Sequence, residues 1–255
     1  VISGNTIGLS AGRTSPNAVG ITATDCDGVA IQSASNAIDL GDNAIIIENC
    51  DYTDVGSVLT GDSLASTVGI LADDTNSDLT LNGTEVSGYA TGVSKENGVL
   101  FMIGDAEIAG TDYGVYAEDT YVYALVAHVD GGATGTGLHV VDSPDAWVYP
   151  MDASGAIGMY VENTPFRWDG GVSDATTALS VVDATGTVEN LTWSASTTQM
   201  NAGNNAHITS IGNTLDASKL VVASSAVIDE ANLMSIDSTH LGAAPLNEVA
   251  LLLTS

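Results

Sequence analysis

Positive charge is nearly absent from this chain: Arg13, Lys95, Arg167 and Lys219 are its 4 basic side chains, against 32 Asp and Glu, for a formal net charge of −28. Neutralising nucleic-acid phosphates takes clustered Lys and Arg, so the balance argues against binding DNA or RNA. An anionic membrane surface is disfavoured on the same ground. Long apolar runs are missing too, and no basic, apolar leader opens the chain, so nothing in this segment inserts into a bilayer. Aromatic residues make up only 5% against 44% hydrophobic overall, so small and β-branched side chains must fill the interior. Cysteine is limited to 2 residues without suitably placed His partners, which argues against a zinc site. Glycine is plentiful at 28 residues but keeps no period of three, so collagen is set aside.

What is present is a repeat. A small residue, an apolar one, a variable one, a second apolar one, a variable one and then Asp or Asn recur from Gly20, Ala44, Gly69, Gly92, Gly114, Gly137, Gly158 and Ala178. The steps are 24, 25, 23, 22, 23, 21 and 20 residues. One position after each anchor lie Ile21, Ile45, Ile70, Val93, Val115, Leu138, Met159 and Leu179; three positions after it lie Ala23, Ile47, Ala72, Lys95, Ala117, Val140, Val161 and Val181. Alternate residues of a strand share a face, so both columns point into a core, with Lys95 the single exception.

Five positions after the anchor comes an unbroken Asx column: Asp25, Asn49, Asp74, Asn97, Asp119, Asp142, Asn163 and Asp183. Asp and Asn tolerate turn conformations and bond neighbouring backbone groups, so one at each strand end bends every coil alike. A second strand follows, as in Val99-Leu100-Phe101-Met102-Ile103 and Tyr121-Val122-Tyr123-Ala124-Leu125, and a third ends in segments such as Ile108-Ala109-Gly110. Helical repeats of similar length fail on periodicity, because spacings of three and four are not sustained.

These features predict an all-β, parallel β-helix solenoid of about ten coils of 20–25 residues, forming a single domain over 1–255. The register is clear over 20–195 and weaker over 1–19 and 196–255. The phrases Ser3-Gly4-Asn5-Thr6-Ile7 and Gly-Ile/Val-x-x-x-Asx resemble the right-handed parallel β-helix proteins of the pectate-lyase-like superfamily, over roughly residues 1–240. The resemblance implies right-handed winding. It does not imply one function, because that superfamily holds lyases, hydrolases, epimerases, tailspikes, adhesins and surface-layer proteins.

Cys26 and Cys50 both sit six positions after their anchors, so stacking brings them within disulfide range; they form either a coil-to-coil disulfide, implying an oxidising exterior, or a pair of reduced thiols in a turn. On the outward side Glu48, Asp73, Glu96 and Glu118 occupy consecutive coils, where they either share calcium ions or make a solvated acidic face. Tyr116, His139 and Tyr160 form an outward row that suits sugar stacking, a subunit contact or a self-stacked ladder. Trp147, Trp168 and Trp193 recur after successive Asx positions and are expected to cover a second face, outward as a binding row or inward as core.

An enzymatic reading finds little support. Lyases of the resembled fold use Arg or Lys as base, and the four cations here are scattered. Asp73-Asp74 matches part of the glycosidase pattern, but no Gly-His-Gly or Arg-x-Lys segment follows. His128, His139, His207 and His240 lack metal-ligand spacing, and Gly131 to Gly137 reads as a widened turn, not a phosphate loop. No catalytic residue is assigned. The chain reads as a non-enzymatic structural rod of an extracellular or cell-surface layer, filament or adhesin, self-associating or contacting neighbouring surface proteins. The apolar Leu251-Leu252-Leu253, without a polar cap, suggests coils continuing in another copy or domain. The alternative is a carbohydrate-binding or carbohydrate-active module.

Overall fold

The computed structural model describes residues 2–3, 6–8, 19–26, 31–34, 37–39, 42–61, 67–73, 77–194 and 196–231. Among these, strand pairs with strand in parallel, one repeat apart. Ile21 lies beside Ile45, Ile45 beside Ile70, Ile70 beside Val93, Val93 beside Val115, Val115 beside Leu138, Leu138 beside Met159, and Met159 beside Leu179. Those are the partners the spacing predicts. Met200 and Leu220 continue the column into the segment where the sequence pattern blurs.

The chain is therefore an all-β parallel β-solenoid, of about eight turns instead of about ten. The shortfall lies at the ends, where the described coils before Val19 and from Thr198 on contribute two strands each. Each complete turn carries three strands. Val68–Asp73, Thr136–Val141 and Ile157–Glu162 belong to the first face. Asp78–Asn82, Ala146–Val148 and Phe166–Asp169 belong to the second, and Val58–Thr60 and Met151–Ser154 to the third. Glu85–Glu96 and Val99–Glu118 run around corners and serve two or three faces each.

Parity explains the core. Ile45, Ile47, Ile70, Val93, Val115, Ala117, Leu138 and Val140 are fully buried on the first face, Leu79, Leu100, Met102 and Val122 on the second. Burial of each Val, Leu or Ile contributes about 1.5–3 kcal/mol, so the stacked columns are the main favourable term. The small anchors have a steric cause: a Cβ on Gly92, Gly114 or Gly137 would stand 2.6–2.7 Å from a carbonyl oxygen of the next coil.

The Asx residues turn the chain as expected. Asp25, Asn49, Asn97, Asp119, Asp142, Asn163 and Asp183 have φ between 48° and 60°, a left-handed conformation that Asn and Asp adopt more readily than other non-glycine residues. Asp74 lies outside the described residues. The column slips by one at the C-terminal side, where Asn205 (φ 45°) takes over and Asp183 N–H donates to the Asn204 carbonyl.

Candidate functional site

On the first face the outward rings stack on one another. Tyr116 and His139 have centroids 5.3 Å apart and His139 and Tyr160 4.5 Å, with interplanar angles of 21° and 16°. Tyr113 meets His139 edge-on at 5.0 Å. The faces that a sugar would need are thus turned towards neighbouring rings in the row, and the geometry fits a self-stacked ladder. Tyr116 Oη donates to Glu118 Oε2 at 2.6 Å and Tyr160 Oη to Glu162 Oε2 at 2.7 Å. Burial, then the bonded carboxylate, raises both phenols, Tyr160 to about 12. Burial lowers His139 against the opposing pull of Glu162 and Glu118, which favours a neutral ring in the stack.

Beside this row Asp73, Glu96 and Glu118 stack as register partners. A side-chain hydrogen bond to Asp73, then burial, then the charges of Asp73, Glu118 and Asp119 raise Glu96 to about 6. A bond between two carboxyl groups requires a shared proton, so protonation relieves the repulsion here only below about pH 6. Among the described residues no group of three or more His, Cys, Asp or Glu is placed to hold a metal ion, and the calcium expectation for Glu48, Asp73, Glu96 and Glu118 gains no ligand set. Glu48 stands one coil above Thr24.

Cys26 and Cys50 are joined as a disulfide, with Cα atoms 5.0 Å apart. Lys95 points inward, fully buried. Its ammonium donates to the carbonyl oxygens of Glu96, at 2.9 Å, and Asn97. Its role is to serve the turn, where Thr120 Oγ1 also donates to the Asn97 carbonyl at 3.2 Å. Sequence reasoning missed a second buried ionisable side chain: Asp54 accepts from Ser57 Oγ at 2.8 Å and Thr84 Oγ1 at 2.7 Å.

The three tryptophans do not form a row. Trp147 is 42% exposed, Trp168 is fully buried on the inner side of the second face, and Trp193 lies on the third face, packed against the core. The second face has its own aromatic row, Phe101, Tyr123 and Trp147, register partners on three successive coils. With Val99, Tyr121 and Leu125 they line an open apolar groove of about 540 Å³. Phe101 and Tyr123 stack at 5.0 Å and 17°, so they too present mostly edges. Exposure is 37% for Phe101, 44% for Tyr121 and 36% for Leu125.

The third face carries an acidic groove of about 610 Å³. Glu85, Glu107, His128 and Asp152 follow one another on successive coils, and His128 Nδ1 pairs with Asp152 Oδ2 at 3.3 Å. His207 pairs with Asp229 at 2.7 Å; His240 lies outside the described residues. Gly131 to Gly135 form a turn closed by a 3.0 Å backbone bond, leading into Thr136–Val141. No described helix is long and apolar enough to cross a membrane.

The chain defines itself by fold as a parallel β-solenoid whose second face carries an apolar, aromatic groove over three coils. Comparison with protein-family models, with curated proteins and with solved structures finds no match, so the resemblance to the pectate-lyase-like superfamily rests on the sequence phrases alone.

Proposed function

We propose that the chain is a non-enzymatic structural protein, a rigid rod of an extracellular surface layer, filament or adhesin, and that it makes its contacts through the second face. The observation that carries this reading is the groove of Val99, Phe101, Tyr121, Tyr123, Leu125 and Trp147, an uncharged strip on a chain of net charge −28. The largest apolar patch of a monomer is often its functional surface. The disulfide supports an oxidising compartment, and stability accruing between neighbouring coils suits a stiff rod. Immunogold electron microscopy of source cells tests the reading: label on the envelope or on filaments supports it, label confined to the cytoplasm overturns it.

A carbohydrate-active module is the second reading, favoured by the third-face groove, where Glu85 and Glu107 stand on adjacent coils next to the His128–Asp152 pair. Paired carboxylates at suitable separation are the machinery of glycoside hydrolysis. Release of reducing ends from a polysaccharide panel, lost in Glu107→Gln, would establish this reading in place of the first.

A further inference from the structure

We propose that the second-face groove docks a polypeptide segment that combines apolar side chains with Lys or Arg; this rests on the contact-scaffold reading above. The apolar half of the argument is area. Aromatic side chains cover about 150–250 Å² each when fully buried, so 37–44% exposure of Phe101, Tyr121 and Trp147, with Leu125 beside them, leaves a few hundred Å² in water. That is the size of the largest apolar patch on an ordinary monomer, a patch that is often functional. It also falls short of the roughly 800 Å² per partner of a standard interface, so a second copy seated on the groove alone would bind weakly.

Charge selects among partners. Exposed Asp78 is the register partner of Val99, Asp145 precedes Ala146, the partner of Val122, and exposed Asp119 and Asp105 stand two residues before Tyr121 and two after Ile103, so carboxylates flank the groove strands at both ends. Arg167, next in the row after Trp147, is held by Asp169 and Glu189 at 3.2 Å each, so its charge is already matched. A second copy would bring another net charge of −28 to this rim, whereas Lys and Arg flanking an apolar centre complement it. A neutral glycan fits less well. Phe101 and Tyr123 turn their faces to each other, leaving edges where a pyranose would need a face.

The test is fluorescence anisotropy with three short labelled peptides of equal length: alternating Lys/Leu, Lys/Ser of the same charge, and Glu/Leu. Lys/Ser reports the attraction of any cation to so acidic a rod, so the informative quantity is the Lys/Leu advantage. Docking predicts an advantage of about tenfold or more, lost in the double variant Tyr121→Ser, Trp147→Ser while Lys/Ser binding is unchanged. Both side chains are exposed, and Leu125→Lys gives a second variant that must also abolish the advantage. Equal affinity for Lys/Leu and Lys/Ser, an advantage that survives both variants, or equal binding of Glu/Leu overturns the proposal. Displacement of Lys/Leu by cellohexaose, or a dimer in sedimentation equilibrium that Trp147→Ser dissociates, overturns it in favour of a glycan or a second copy. Failure here with envelope labelling intact removes the docking proposal alone; cytoplasmic labelling removes the reading beneath it.

Discussion

Asn163 stands one coil above Asp142, and its side-chain amide donates to the Asp142 carboxylate at 2.9 Å. Asn49 does the same to Asp25 at 3.0 Å and Asn205 to Asp183 at 2.8 Å. The Asx column is thus two devices in one. Each described member tolerates the left-handed backbone of its turn, and Asn49, Asn163 and Asn205 each tie two turns together while offsetting a carboxylate.

Asn163→Ala removes both, and is predicted to cost about 2 kcal/mol, from about 1–2 for a left-handed non-glycine residue and about 1 for the bond. Asn163→Gly keeps the backbone freedom and should cost less than Asn163→Ala, of the order of 1 kcal/mol. Urea unfolding of the two variants checks this; equal costs would assign the whole effect to the hydrogen bond.

The disulfide closes a loop of sequence separation 24, which corresponds to roughly 3 kcal/mol of stabilisation. Cys50→Ser should lower the unfolding midpoint of the N-terminal coils accordingly. Wild type denatured without reductant should show no free thiol in a colorimetric assay, and free thiols would contradict the bond.

Glu96 gives a pH dependence whose sign is opposite to the usual acidic case. Its folded pKa of about 6 lies above its ordinary 4.5, so its contribution is fully present below about pH 4.5 and is lost as pH rises through 6. After screening at this solvent-accessible site the effect is of the order of 1 kcal/mol. Glu96→Gln should therefore be more stable than wild type above pH 6, with the advantage fading below pH 4.5. His139 acts the other way. Its lowered pKa contributes stability that is present above 6.5 and is lost on acidification, so thermal melts of Glu96→Gln and His139→Phe across pH 4–8 separate the two.

Lys95→Met keeps the length of a buried side chain and removes a buried charge, and Thr120 still donates to the Asn97 carbonyl. The expected change is within about 1.5 kcal/mol in either direction. Lys95→Ala, which also leaves a cavity, should cost about 3 kcal/mol. Equal losses for the two would mean that the charge dominates over the packing.

The first face was legible because three signals coincide there: the anchor, the two inward columns and the Asx residue. They correctly placed Ile70 beside Val93, but Lys95, set apart as the exception to its column, points inward as well, because the carbonyls that receive its ammonium come from tertiary geometry and leave no trace in spacing. The second face was not legible by parity. Val99 to Ile103 and Tyr121 to Leu125 are apolar at every position, so alternation cannot tell buried Leu100 from exposed Phe101. Carrying the register from each anchor into the following strand aligns Phe101 with Tyr123 but reaches Ala146 in the next coil, so the one-residue-longer corner that sets Trp147 beside Tyr123 leaves no mark in the anchor spacing. Trp193 escaped for a related reason, since a corner between it and the last Asx residue moves it to the third face.

Hydroxyl-radical footprinting read by mass spectrometry, on the purified chain and on the native material from cells, tests the central claim most directly. Phe101, Tyr121 and Trp147 should be labelled in the free chain and protected in the native material, with buried Leu100 and Trp168 protected in both. Labelling of Trp147 to the same extent in both states, or labelling of Trp168 as strongly as Trp147 in the free chain, would contradict the account.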